Sequence, residues 1–269
     1  MQSRNPVLNR EFANPQYATF HEAPPSASQL QEMYDGPAGT TTARPMTLDD
    51  VVVKTGIMFV VLVAAAVAGW NLVSTSPAIV WLAMLVAFGL AMAVIFKRNA
   101  SPVLVLLYSA FEGLFLGGLS NWYALYAGHG TSDPQIVLQA VVGTFVAFGV
   151  MLLLYRSGRL RATPQFTRMM IGAMVSYLVI ALASLVAALF GVGGGWGFYG
   201  VTGLGLLLCV VGVALAAFSL VLDFDMIERG VAARLPERES WRAAFGLMVT
   251  LVWLYLELLR LLAILNGRR

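Results

Sequence analysis

Charge is what this chain has least of. Only 12% of its 269 residues are Asp, Glu, Lys or Arg, while 59% are hydrophobic and the mean hydropathy is +0.77. A soluble domain carries about 25% charged residues, so too little polar surface is present here to cover a water-facing globule. Lysine is nearly missing: Lys54 and Lys97 are the only two, so no last-span lysine exists for a retinal Schiff base. A single cysteine, Cys209, cannot form an intrachain disulfide, and no oxidising compartment is implied. The two histidines, His21 and His129, fall in an N-terminal tail and in a link between apolar runs. Without HExxH, GxSxG or a Cys/His cluster, the spans lack residues for zinc chemistry or intramembrane proteolysis. The glycine-rich GVGGGWG lacks the Lys and Ser/Thr of a phosphate loop. Neither an enzyme nor a cofactor is therefore expected, and no firmly bound metal. The net charge of +3 and pI near 9.2 come from scattered basic residues, not from a stripe that would suit nucleic acid.

What is present is apolar length. A helix needs about 20 apolar residues to cross a hydrocarbon core of about 30 Å. Seven stretches qualify, near 52–73, 77–96, 101–126, 135–155, 168–190, 198–226 and 243–265. Their length, and the lack of ten-residue alternation, exclude a barrel and predict helices that satisfy their own backbone polar groups. The expected fold is all-α, a polytopic transmembrane bundle over residues 48–269. Residues 1–47, rich in Pro, Ser, Thr, Gly and Ala, cannot bury enough apolar area to offset chain entropy and read as a mobile tail. They lack the apolar core of a secretory signal.

The links alternate in charge. KRNA, RSGRLRATPQFTR and ERGVAARLPERESWR hold ten basic residues, and NLVSTSP, YAGHGTSDP and GVGGGWG hold none. Short basic loops stay in the cytoplasm, which places the tail and Lys54 there too. Seven crossings then put the C-terminus outside, although Arg260 and the terminal NGRR pull the other way. The last segment therefore reads either as a crossing or as a re-entrant helix. Ser109, Gly113 and Gly117 form a small-residue face on the third span, along which another helix can approach closely.

Four acids interrupt these apolar runs. An ionised carboxylate at bilayer depth costs at least about 2.5–3.5 kcal/mol, so such a group normally faces a bundle interior or an aqueous path. Glu112 lies near the middle of the third span, about 16 Å from its start. It is read either as a functional group or as a neutral carboxyl hydrogen-bonded through Ser109 or Ser176. Asp223 and Asp225 stand near the end of the sixth span, about 200° apart on a helix, so they cannot share one partner. Asp223 is the inward candidate. Asp225 shares a face with Glu228 at the rim, within reach of Arg229 or Arg234. Glu257, in the last span, has Arg260 one turn later as an ion-pair partner.

SPVLVLLYSAFEGLFLGGLS resembles the third helix of Bax inhibitor-like membrane proteins, the family that includes bacterial YccA and the eukaryotic TMBIM proteins. LDFDMIERG resembles the end of that family's sixth helix. The resemblance runs from about residue 48 to the end, is strongest to the actinobacterial branch with an extended tail, and leaves the first 47 residues without a counterpart. It implies a seven-helix bundle with the last helix central, in the bacterial inner membrane. It also implies a pH-sensitive calcium leak in which aspartates of the sixth and seventh helices act as sensor and latch. Asp223 falls on the sixth-helix position, and Asp225 on one that is often Gln. The seventh-helix acid falls near Thr250 and is absent, so a carboxylate pair would need Glu112, Asp225 or Glu257 as its second member. Some bacterial relatives are instead modulators of a membrane-anchored AAA protease, a non-conducting alternative. Beyond the lipid bilayer, the implied partners are thus a permeant Ca2+ or that protease.

Overall fold

A computed structural model describes residues 26–27, 44–97, 101–128, 134–200 and 202–267. Most of the 1–47 tail, the KRNA link past Lys97, His129 in its link and the last two arginines lie outside the described residues. Among the described residues from 44 onward are seven helices, each long and apolar enough to cross a membrane: α1 Leu48–Thr75, α2 Pro77–Phe96, α3 Pro102–Ala127, α4 Gln135–Arg156, α5 Pro164–Leu189, α6 Thr202–Ala232 and α7 Glu239–Asn266.

Local chemistry sets their starts. Thr47 caps α1 in a capping box with Asp50, each side chain bonding to the other's backbone N–H. Proline opens α2, α3 and α5, where its missing N–H has no partner to lose. α6 runs on to Ala232, past the break expected near 226, and so keeps Asp223, Asp225 and Glu228 on one continuous helix. The GVGGGWG link folds into two short 3-10 turns, Val192–Gly195 and Gly197–Gly200, through glycines at positive φ.

Packing centres on α7. It touches α1, α3, α4 and α6, and its buried residues point all round the helix, from Ala244 and Leu247 through Thr250 and Leu254 to Leu259. α1, by contrast, buries one stripe, Val51, Met58, Leu62, Gly69 and Val73, and leaves Val52, Val60 and Val67 exposed. The re-entrant reading of the last segment does not hold: α7 is one unbroken helix of 28 residues, about 42 Å long.

The most extensive helix pair is α1 with α3. A Cβ added at Gly117 would stand 1.9 Å from the Ala66 carbonyl oxygen, one at Gly113 2.2 Å from that of Leu62, and one at Gly69 2.1 Å from that of Leu114. The small-residue face of α3 is therefore filled by the backbone of α1.

Candidate functional site

The four acids of the apolar runs separate into distinct sites. On α6, Asp223 faces α7 beside Thr250. Its Oδ2 is buried without a hydrogen-bond partner among the described residues. The seam around this pair is apolar, with Leu220, Val221 and Leu254 all fully buried. No second carboxylate is bonded to Asp223 among the described residues.

Asp225 turns to the rim and pairs with Arg229 at 2.7 Å. Glu228 accepts a hydrogen bond from the hydroxyl of Tyr155 on α4. Beside this rim, Arg44–Thr47 is joined to the α6–α7 connection. Met46 N–H donates to the Leu235 carbonyl at 2.7 Å, and Glu237 N–H to the Arg44 carbonyl at 2.8 Å. Lys54 then ties α1 to the same connection through the Glu237 carboxylate at 3.2 Å and Ser240 Oγ at 2.6 Å, its ammonium 5.4 Å from the centre of the Trp241 ring.

Glu257 forms the second site, toward the other end of the bundle. It is 3% exposed and fully partnered. Its Oε1 accepts from Tyr177 on α5 at 2.9 Å and from Trp253 Nε1 at 3.2 Å, while Arg260 Nη1 lies 3.3 Å from both carboxylate oxygens. Tyr199 donates to the Tyr177 hydroxyl at 3.0 Å, Arg260 Nε donates to the Tyr123 hydroxyl at 3.1 Å, and the guanidinium carbon lies 4.2 Å from the centre of the Tyr199 ring. A buried charge without partners costs several kcal/mol, and this shell supplies them. α6 reaches the pair because residue 212 is glycine: a Cβ there would meet the Tyr177 hydroxyl at 2.4 Å and the Glu257 carboxyl carbon at 2.7 Å.

Glu112 stands apart from both sites. Neither serine expected to hold it does so: Ser109 Oγ bonds back to the Val105 carbonyl, and Ser176, exposed on α5, to that of Gly172. Both hydroxyls are taken up by their own helices. Nor does Glu112, Asp225 or Glu257 sit beside Asp223 as a replacement for the missing seventh-helix acid.

The tyrosines around Glu257 were missed in the sequence. Trp253, Glu257 and Arg260 could have been found together, since four- and three-residue steps put them on one helix face. Tyr123, Tyr177 and Tyr199 come from other elements, and no local spacing marks them. Among the described residues no group of three His, Cys, Asp or Glu could hold a metal ion.

Among the described residues, seven membrane-length helices, the last of them packed against four of the other six, define a multi-pass membrane protein. A family model described as Bax inhibitor 1 like matches residues 5–267, and the chain belongs to that family. No curated protein matches it. The family match corrects the extent of the resemblance: it begins at residue 5 instead of about 48, so most of the N-terminal tail lies within the family pattern. A polar, proline-rich segment offers no apolar periodicity by which that relation could be seen.

Proposed function

We propose that this protein is a pH-sensitive cation leak of the bacterial plasma membrane, with calcium as the permeant ion and the N-terminus in the cytoplasm. The observation that carries the reading is Asp223, a carboxyl at the α6–α7 seam beside Thr250, with one oxygen, Oδ2, buried and unbonded. An unpaired buried acceptor is costly when ionised and is relieved by a proton or a cation, so occupancy of this oxygen biases the packing of the two helices. Hard cations prefer oxygen ligands, and a single carboxylate with backbone carbonyls is weak enough to release one. Asp225 is held by Arg229 at the rim and takes no part.

The test is calcium flux into liposomes containing the purified protein, measured at pH 6 and pH 8. Asp223→Asn, fixed in the neutral form, flattens the difference between the two pH values, while Asp225→Asn keeps it. Thr250→Asp places a second carboxyl against the first, and because such neighbours resist ionising together it moves the midpoint of the flux upward in pH. A full wild-type pH response in Asp223→Asn would overturn the sensor assignment. Wild type without flux at any pH would leave the protease-modulator reading, which deletion of residues 1–43 then probes by removing the segment a protease could grip.

A further inference from the structure

Where α5 leaves the body of the bundle, a groove of about 670 Å3 runs between it and the α2–α3 pair, with α7 as its floor. α5 packs mainly on α6 and the two 3-10 turns, and the groove walls that it supplies, Val175, Leu178 and Leu185, are more than half exposed. The groove thus opens sideways, toward lipid.

Its floor holds one incomplete group. Arg260 gives Nε to Tyr123 and Nη1 to Glu257, whereas Nη2 has no hydrogen bond among the described residues. The side chain lines the groove and keeps 23% of its surface exposed, in contrast to 4% for Glu257. Two N–H donors facing a low-dielectric space need an acceptor. The charge is already balanced by Glu257, so a second anion would sit beside a carboxylate and be repelled. An uncharged carbonyl oxygen satisfies Nη2 without that cost.

Depth narrows the source. Arg260 is six residues from the end of α7, about 9 Å, and a helix of about 42 Å overhangs a core of about 30 Å by about 6 Å at each end. Arg260 then lies about 3 Å inside the core, at the level of glycerol ester carbonyls, and Trp81 and Trp196 line the groove there as an interfacial belt does.

We propose that this groove is a lipid-binding site: the ester carbonyl of a phospholipid from the adjoining leaflet accepts a hydrogen bond from Arg260 Nη2, and its acyl chain lies along α5. The site reads the ester, not the headgroup. Ala181 and Ala188, small residues on the α5 wall, leave room for the chain.

Native mass spectrometry of the detergent-purified protein tests this with three lipids of equal chain length: diester phosphatidylcholine, diether phosphatidylcholine and diester phosphatidylglycerol. Loss of one hydrogen bond from a charged donor corresponds to about a tenfold loss of affinity. Wild type should hold one diester phosphatidylcholine about tenfold more strongly than the diether, and the two diester lipids alike. Ala181→Phe, or Ala188→Phe should the first fail to fold, fills the groove and abolishes that preference. Equal retention of ester and ether lipid by wild type, or a preference that survives in a folded filled-groove variant, overturns the site. A tenfold preference for phosphatidylglycerol over phosphatidylcholine overturns the assignment of the carbonyl.

Discussion

Replacing Gly117 by alanine tests whether α1 and α3 are locked backbone to backbone. The added methyl would stand 1.9 Å from the Ala66 carbonyl oxygen, and ordinary contact begins at 3.4 Å, so the helices must part by about 1.5 Å. The obstacle is backbone, which cannot rotate away as a side-chain tip can. Parting them there also loosens the equally close contacts at Gly69 and Gly113. Overpacking of this kind costs about 1–3 kcal/mol, and three coupled contacts place Gly117→Ala at the upper end. Alanine returns up to about 1 kcal/mol through its helix propensity, for a net destabilisation of about 2 kcal/mol. Gly89→Ala and Gly172→Ala are the controls, because a Cβ at either position meets nothing within 4 Å. Reversible unfolding in mixed micelles reads all three. Gly117→Ala as stable as Gly89→Ala would refute the close seam.

Other sites give separate tests. Glu257→Leu leaves Arg260 without its counter-charge and should cost about 3 kcal/mol in the same unfolding assay, whereas Glu257→Leu with Arg260→Met should recover most of that loss; additive effects would argue against a coupled pair. Lys54→Met removes the bonds from α1 to Glu237 and Ser240, and should speed proteolysis of the α6–α7 connection severalfold without altering helix content by circular dichroism. An unchanged cleavage rate would show that the connection is held by Arg44–Thr47 alone.

Hydrophobic length revealed the seven helices because a bilayer sets a single scale for all of them. The 200° offset likewise separated Asp223 from Asp225: one faces Thr250 and the other Arg229. Contacts between distant helices were less legible. Tyr177 and Glu257 are 80 residues apart and meet only because Gly212 lets α6 come close. The union of Arg44–Thr47 with the α6–α7 connection is a backbone pairing, which leaves no mark in side-chain pattern. Where a property depends on one helix, the sequence shows it; where it depends on which helices face one another, packing decides.

The two polar sites share one seam, and that gives a last prediction. Gly212 and Asp223, eleven residues apart, lie on the same face of α6; Thr250 and Glu257, seven apart, lie on the same face of α7. Between them Ala216, Leu220 and Leu254 are fully buried, so the seam is closed by apolar side chains. Under the proposed leak, conduction requires α6 to swing from α7 at the Asp223 end, and the Glu257 cluster, with Tyr177 and Arg260 gathered against Gly212, is the end that stays fastened. Gly212→Ala pushes a methyl against the Tyr177 hydroxyl and the Glu257 carboxyl, both of which can shift only by loosening that fastening. The swing then loses its pivot and the closed seam is weakened at every pH. Basal calcium flux in liposomes should rise severalfold at both pH 6 and pH 8, with the pH midpoint unmoved because Asp223 and Thr250 are untouched. A variant that conducts like wild type would show that the far end plays no part in closure. One whose pH midpoint moves would show that the two sites titrate together, and that the separation of sensor from pivot is wrong.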